Sequence, residues 1–312
     1  MNRKLYRVLA LAPALVGLMC VPAAAQKKRP SAQRQKAVAA APARAAIFAV
    51  LNDGGTLEPI ALIGKGKLVE PVNGSDDETR ITAFDRTYYK TGTSYRLIFG
   101  GANAGSVKVK AFDPKAECSR NMADVTTTST SAKLKGLVMG LATNSPKGAS
   151  DKGFRERPTA AEKSEIDALA RSEFKKQKLT AKDLHYQNLT AVDVDHDGKP
   201  EFVGSYWIEI DKLTRGLLFL IAQKTKAGKY AVGYKDYQTV DQSRVMGGGQ
   251  ISDVDEGVYH ELLLDVLDYD GDGVAEIFTY TQGFEGAGFN VFRRTGSKWI
   301  RTYQFNNYHC AF

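Results

Sequence analysis

Short runs of β-branched and aromatic residues, punctuated by Gly, Asn and Asp, dominate the chain from residue 46 onward. Ile47 to Leu51, Ile60 to Ile63 and Tyr95 to Phe99 are such runs, and Val107 to Phe112 alternates with the period of two expected of a half-buried strand. They predict a small β domain over 46–142. Ser, Pro, Lys and Gly crowd 143–158, which reads as a linker. The period then changes. Thr159 with Glu162 three residues later forms a capping box just after Pro158. Ile166, Leu169, Ala170 and Phe174 follow on one helical face, ending near Lys178. That stripe is read as core packing. Leu179 to Gln187 is read as a short second helix, so that 159–187 forms a helical segment. Strands return over 188–312: Glu201 to Ile210, Leu217 to Gln223, Tyr230 to Tyr237, Glu276 to Thr281, Asn290 to Arg294 and Trp299 to Phe305. Turns at Lys226 to Lys229 and Thr295 to Lys298 suggest antiparallel meanders. The expected class is mainly β with one or two helices (α+β).

The first 25 residues belong to neither β region. Arg3, Lys4 and Arg7 precede an apolar stretch from Val8 to Met19, and Ala23 to Ala25 offer the small side chains a signal peptidase accepts. The apolar stretch is too short for a membrane anchor, so a cleaved signal peptide over 1–25 and a secreted or periplasmic protein are expected, with no transmembrane segment after cleavage. Charge changes its meaning in this light. The net +8 invites a nucleic-acid reading, but nine of the 43 basic residues and none of the 35 acids lie before residue 45. The basic Ala/Lys/Arg/Gln stretch over 26–45 reads as a disordered leader. The remainder is nearly neutral, with no basic stripe to track phosphates, so nucleic acid is excluded as a partner. Export removes Cys20 with the signal and leaves Cys118 and Cys310, which an oxidising compartment would join in one long-range disulfide.

Two segments carry the candidate chemistry. Asp193-Val194-Asp195-His196-Asp197-Gly198-Lys199-Pro200-Glu201 and Asp268-Tyr269-Asp270-Gly271-Asp272-Gly273-Val274-Ala275-Glu276 both read D-x-D-x-D-G-x-x-E, an internal repeat. Acids at positions 1, 3 and 5 of a tight loop point inward, and Gly at position 6 permits the positive φ that reverses the chain. The position-7 carbonyl, from Lys199 or Val274, can face the same ion. Four carboxylates in nine residues repel one another unless a cation neutralises them. The set holds no Cys and His196 sits at an outward position, which disfavours zinc. Flexible all-oxygen loops suit Ca2+ better than Mg2+. An EF-hand is rejected: its twelfth position would be Gly204 or Thr279, and strand-like sequence follows each loop. Only Tyr259 to Leu267, before the second loop, has a helical alternative.

The two segments resemble the FG-GAP/VCBS repeats of integrin-like β-propellers, in which an aspartate-rich hairpin loop between two strands holds calcium. Leu189 to Val192 and Leu262 to Leu267 lead in; Phe202-Val203 and Ile277-Phe278 lead out. The resemblance implies two calcium ions, with ligands Asp193, Asp195, Asp197 and Glu201, then Asp268, Asp270, Asp272 and Glu276. Two copies fall short of the four or so blades of a closed propeller. Blade-like antiparallel meanders, either two sheets packed together or a partial propeller, are therefore expected for the C-terminal domain, with closure into a full propeller left open.

No catalytic constellation accompanies these loops. The four His, at 185, 196, 260 and 309, form no HExxH, and there is no GxSxG and no phosphate-cradling glycine loop opening a helix. Gly247 to Gly249 reads as a flexible loop. The sequence thus favours a non-enzymatic exported protein whose metal orders a surface for a protein or glycan ligand. The alternative is a secreted hydrolase acting on polysaccharide or peptide, with a calcium-stabilised fold.

Overall fold

A computed structural model describes residues 43–148, 150, 152–246 and 248–310. The expected signal peptide, nearly all of the basic leader, and Gly247 of the glycine loop lie outside the described residues. What is described is mainly β, in three antiparallel sheets with three helices.

The first sheet closes on itself. Strands β1 (Ala45–Leu51), β2 (Thr56–Gly64), β4 (Ser94–Phe99), β5 (Ala102–Ala111), β6 (Ala123–Ser129) and β7 (Gly140–Thr143) run in the order β1-β7-β4-β5-β6-β2, and β2 pairs back onto β1. The short β3 (Lys67–Val69) adds to β2 outside this ring. Period-two alternation divides β1 between two cores: Phe48 and Val50 join the barrel's own cluster, whereas Ile47, Ala49 and Leu51 join another. A helix not expected from the sequence, α1 (Glu78–Tyr88), packs Ile81, Phe84 and Tyr88 into the barrel cluster. Its cap is Asp77, whose side chain accepts from the Arg80 N–H at 3.0 Å.

The other two sheets are four- and five-stranded meanders. Strands β8 (Arg155–Glu156), β9 (His185–Val192), β10 (Glu201–Asp211), β11 (Thr214–Lys224) and β12 (Tyr230–Asp241) form one. Strands β13 (Glu261–Leu267), β14 (Glu276–Gln282), β15 (Gly286–Thr295) and β16 (Lys298–Tyr308) form the other. Apolar clusters set the layer order. Helix α2 (Ala160–Lys176) lays Ile166, Ala170 and Phe174 on the β8–β12 sheet. The opposite face of that sheet meets the β13–β16 sheet through Val192, Val203, Ile221, Ile277 and Phe292. The far face of the β13–β16 sheet packs Leu262, Phe278, Phe289 and Val291 against Ile47, Ala49, Ile60 and Leu141 of the barrel. The regions expected as separate N- and C-terminal β domains therefore share an apolar layer. A third, short helix, α3 (Ile251–Asp255), belongs to a smaller cluster through Ile251 and Val254.

Two local expectations change. Helix α2 has the capping box of Thr159 and Glu162, but no second helix follows. Lys178 adopts a left-handed φ of 62°, and the Leu179 N–H closes back on the Phe174 carbonyl at 3.1 Å. This six-to-one bond ends the helix before β9 begins at His185. The stretch before the second acidic loop is strand β13, so no helix flanks either loop.

Two fastenings span the layers. Asp265, fully buried on β13, accepts from the Gly100 and Gly101 N–H groups at 3.0 Å each and from Arg155 Nη1 at 2.8 Å. Arg155 Nη1 also reaches the Met139 carbonyl at 2.8 Å. Residues of the expected linker are thus built into the structure. At the end of β16, Asn307 Nδ2 donates to Glu58 of the barrel at 2.7 Å, and Cys310 is disulfide-bonded to Cys118.

Candidate metal centres

Each acidic segment joins two antiparallel neighbours. Val192 pairs with Glu201 across the first hairpin and Leu267 with Glu276 across the second, so the last acid of each motif opens the outgoing strand. The predicted position-6 glycines take positive φ, 76° at Gly198 and 90° at Gly273. Position 4 does as well, 58° at His196 and 84° at Gly271.

The repeat extends to individual hydrogen bonds. The position-1 aspartates gather backbone donors: Asp193 Oδ2 accepts from the Gly198 N–H at 3.0 Å, and Asp268 Oδ2 from the Gly273 N–H at 2.9 Å. At position 5, Asp197 and Asp272 accept from the N–H of Lys199 and Val274, at 2.7 and 3.0 Å. The Lys199 ammonium also pairs with Asp197 at 3.1 Å. At position 9, Glu201 and Glu276 accept from the N–H of Val194 and Tyr269, both at 3.4 Å. The loops touch each other as well. The Ala275 N–H donates to the Val194 carbonyl at 2.7 Å, beside a cavity of about 240 Å³ lined by Asp193, His196, Asp268 and Gly273.

Of the four carboxylates expected in each set, three converge. Oxygens of Asp193, Asp195 and Asp197 lie within 4.8 Å of one another, as do those of Asp268, Asp270 and Glu276, and each group could hold a metal ion. Glu201 and Asp272 stand just outside these groups, each engaged by an arginine. Burial decides how such carboxylates behave. Asp193 is 9% exposed and Glu276 1%, yet Asp193 Oδ1 and Glu276 Oε1 have no hydrogen-bond partner, and Asp195 Oδ1 is likewise unpartnered. Burial, reinforced in part by the neighbouring Asp195, pushes Glu201 up to about 7. Burial and the charge of Asp270 push Glu276 up to about 8. The hydrogen bond from Val274, with help from Arg293, holds Asp272 below the ordinary range. Buried carboxylate oxygens that accept no hydrogen bond are matched by a hard cation, which neutralises several at once.

Sequence reasoning missed Arg293 and Arg294. Arg293 Nη1 pairs with Asp270 at 2.8 Å and its Nη2 with Asp272; Arg294 Nη2 pairs with Asp195 and its Nη1 with Glu201 at 3.3 Å. The available signal was two adjacent arginines ending a strand in a chain with two tetra-acid loops. The remaining histidines lie elsewhere: His185 stacks on Trp207, His260 meets Ser205, and His309 pairs with Glu58. Among the described residues, no further group of three His, Cys, Asp or Glu side chains converges as these do. No protein-family model matches the chain, and no curated protein or solved structure matches it either.

Proposed function

We propose that this is an exported calcium-binding protein with FG-GAP/VCBS-like repeats, in which each acidic loop holds one Ca2+ in a structural role. The observation that carries the reading is the pair of buried carboxylate oxygens, Asp193 Oδ1 and Glu276 Oε1, that accept no hydrogen bond, set in loops of matching geometry. The ligands are Asp193, Asp195, Asp197 and Glu201 in the first loop, and Asp268, Asp270, Asp272 and Glu276 in the second. The carbonyls of Lys199 and Val274 complete the two sets. A bound ion replaces repulsion among these groups by shared coordination and so fixes the two hairpins. Strand β9 runs straight into the first loop and also walls a cleft of about 490 Å³, lined by Leu137, Val138, Tyr186 and Leu189 among others. Fixing that hairpin orders a surface for a protein or glycan ligand. Export is supported by the signal-like first 25 residues and by a disulfide compatible with an oxidising compartment. No helix among the described residues is long and apolar enough to cross a membrane.

Calcium that binds only the folded form raises stability by mass action. Sites of this extracellular kind have dissociation constants on the order of 0.1 to 1 mM. A thermal melt of the exported protein in EGTA and in about 2 mM calcium therefore tests the reading. The expected result is an upward shift that Asp195→Ala and Asp270→Ala each diminish. Identical melts in both buffers would leave two acidic turns with no metal to order them.

A further inference from the structure

Strand β15 ends in Phe292-Arg293-Arg294-Thr295, and successive side chains of a strand point to opposite faces. Val291 lies in the core facing the barrel and Phe292 in the core between the two meanders, so Arg293 and Arg294 diverge in the same way. Arg293 meets the loop of its own sheet, through Asp270, Asp272 and, at 3.8 Å, Glu276. Arg294 crosses to the loop of the other sheet, through Asp195 and Glu201. Each guanidinium thus engages the carboxylates at positions 3 and 9 of one loop.

The origin of the second arginine is informative. Ile277 pairs with Phe292 in one sheet as Phe202 pairs with Ala222 in the other, so the repeat-equivalent of Arg293 is Gln223. Gln223 accepts from the Trp299 indole N–H at 3.0 Å. The first loop therefore receives its guanidinium from outside its own repeat. A guanidinium thus reaches the position-3 and position-9 carboxylates of both loops from two different positions.

We propose that Arg293 and Arg294 are built-in counter-ions that set the cation affinity of the two loops. Each guanidinium neutralises the position-3 and position-9 carboxylates of its loop and competes with the cation for them. The proposal rests on the calcium reading above. Its sign follows from electrostatics: removing a positive charge at hydrogen-bond distance from the ligands strengthens cation binding and leaves the metal-free loop with more repulsion.

The test is calcium titration calorimetry on exported protein freed of metal with EGTA, paired with melts in EGTA. Arg294→Gln and Arg293→Gln are each expected to tighten one of two sites by about three- to tenfold and to lower the melting temperature in EGTA. Arg294→Lys and Arg293→Lys, which keep the charge, are expected to stay near wild type. Arg294→Ala and Arg293→Ala, which also remove it, are expected to tighten binding likewise and serve if a glutamine variant fails to fold. Unchanged or weaker binding by the glutamine variants, with wild type binding normally, would overturn the counter-ion role alone. Absence of calcium binding in every protein, wild type included, would overturn the calcium reading and the counter-ion role together.

Discussion

At the scale of single residues, His260 is the side chain whose protonation the fold resists most clearly. It is 1% exposed, its Nδ1 lies 3.2 Å from Ser205 Oγ, and its Nε2 has no hydrogen-bond partner. Burial pushes it down to about 4, against weaker opposing effects of the Val254 backbone and Asp255. The unfolded chain takes up this proton near pH 6.5, whereas the folded one resists until about 4. Stability is thus fully present above 6.5 and is lost as pH falls towards 4, by about 3 kcal/mol. Glu201 and Glu276 titrate with the opposite sign in the same range, so the readout is a difference. Denaturant melts are expected to show wild type losing stability relative to His260→Gln as pH falls across this window, whatever the substitution does at neutral pH. An unchanged difference would assign the acid sensitivity to other groups. Nothing in the sequence around His260 announces its burial, because that burial comes from residues remote in the chain. The loop aspartates were legible for the opposite reason, since their geometry is written into nine consecutive positions. Arg294 was not, for it lies 99 residues from the Asp195 it pairs with.

Elements differ in how much of their cause is local. Helix α2 announced itself through Thr159, Glu162 and an apolar stripe, and it has that reciprocal capping box, with the Thr159 N–H donating to Glu162 at 2.9 Å. Thr159→Ala is expected to cost about 1 kcal/mol, seen as a small fall in melting temperature of equal size in EGTA and in calcium. A fall that vanishes in calcium would tie this helix to the loops instead. Helix α1 has comparable signals in Asp77, Ile81, Phe84 and Tyr88 but is only 11 residues long. It sits in a stretch whose neighbours all read as strands, and three apolar positions alone do not outweigh that context. The segment from Leu179 to Gln187 failed in the other direction: the left-handed Lys178 ends the helix, and backbone conformation at a single lysine is not visible in composition. The meanders were legible nearly strand by strand because turns such as Thr295 to Lys298 interrupt clear apolar runs.

For the molecule as a whole, the stacking of layers was not in the sequence at all. The outward residues of β1 are as apolar as the inward ones, which says that both faces are covered but not by what. The answer is a sheet built from residues more than 200 positions later, fastened in part by Arg155 and Asp265. Both partners are almost wholly buried, with side-chain exposures of 5% and 0%. Removing one member strands the other's charge, so Arg155→Met is expected to destabilise the protein by about 3–5 kcal/mol, read from chemical denaturation. A cost well under that would mean water reaches Asp265. The covered barrel wall also has a consequence in time. All six ring strands precede residue 144, yet Ile47, Ala49, Ile60 and Leu141 gain their cover only with Leu262 to Phe305, and Cys118 its partner only with Cys310. A chain delivered from its N-terminus must therefore keep a half-finished wall and an unpaired thiol sheltered while the remaining half arrives. On the export reading, the yield of native protein is then governed by the pace of translocation and by the helpers that meet the chain outside.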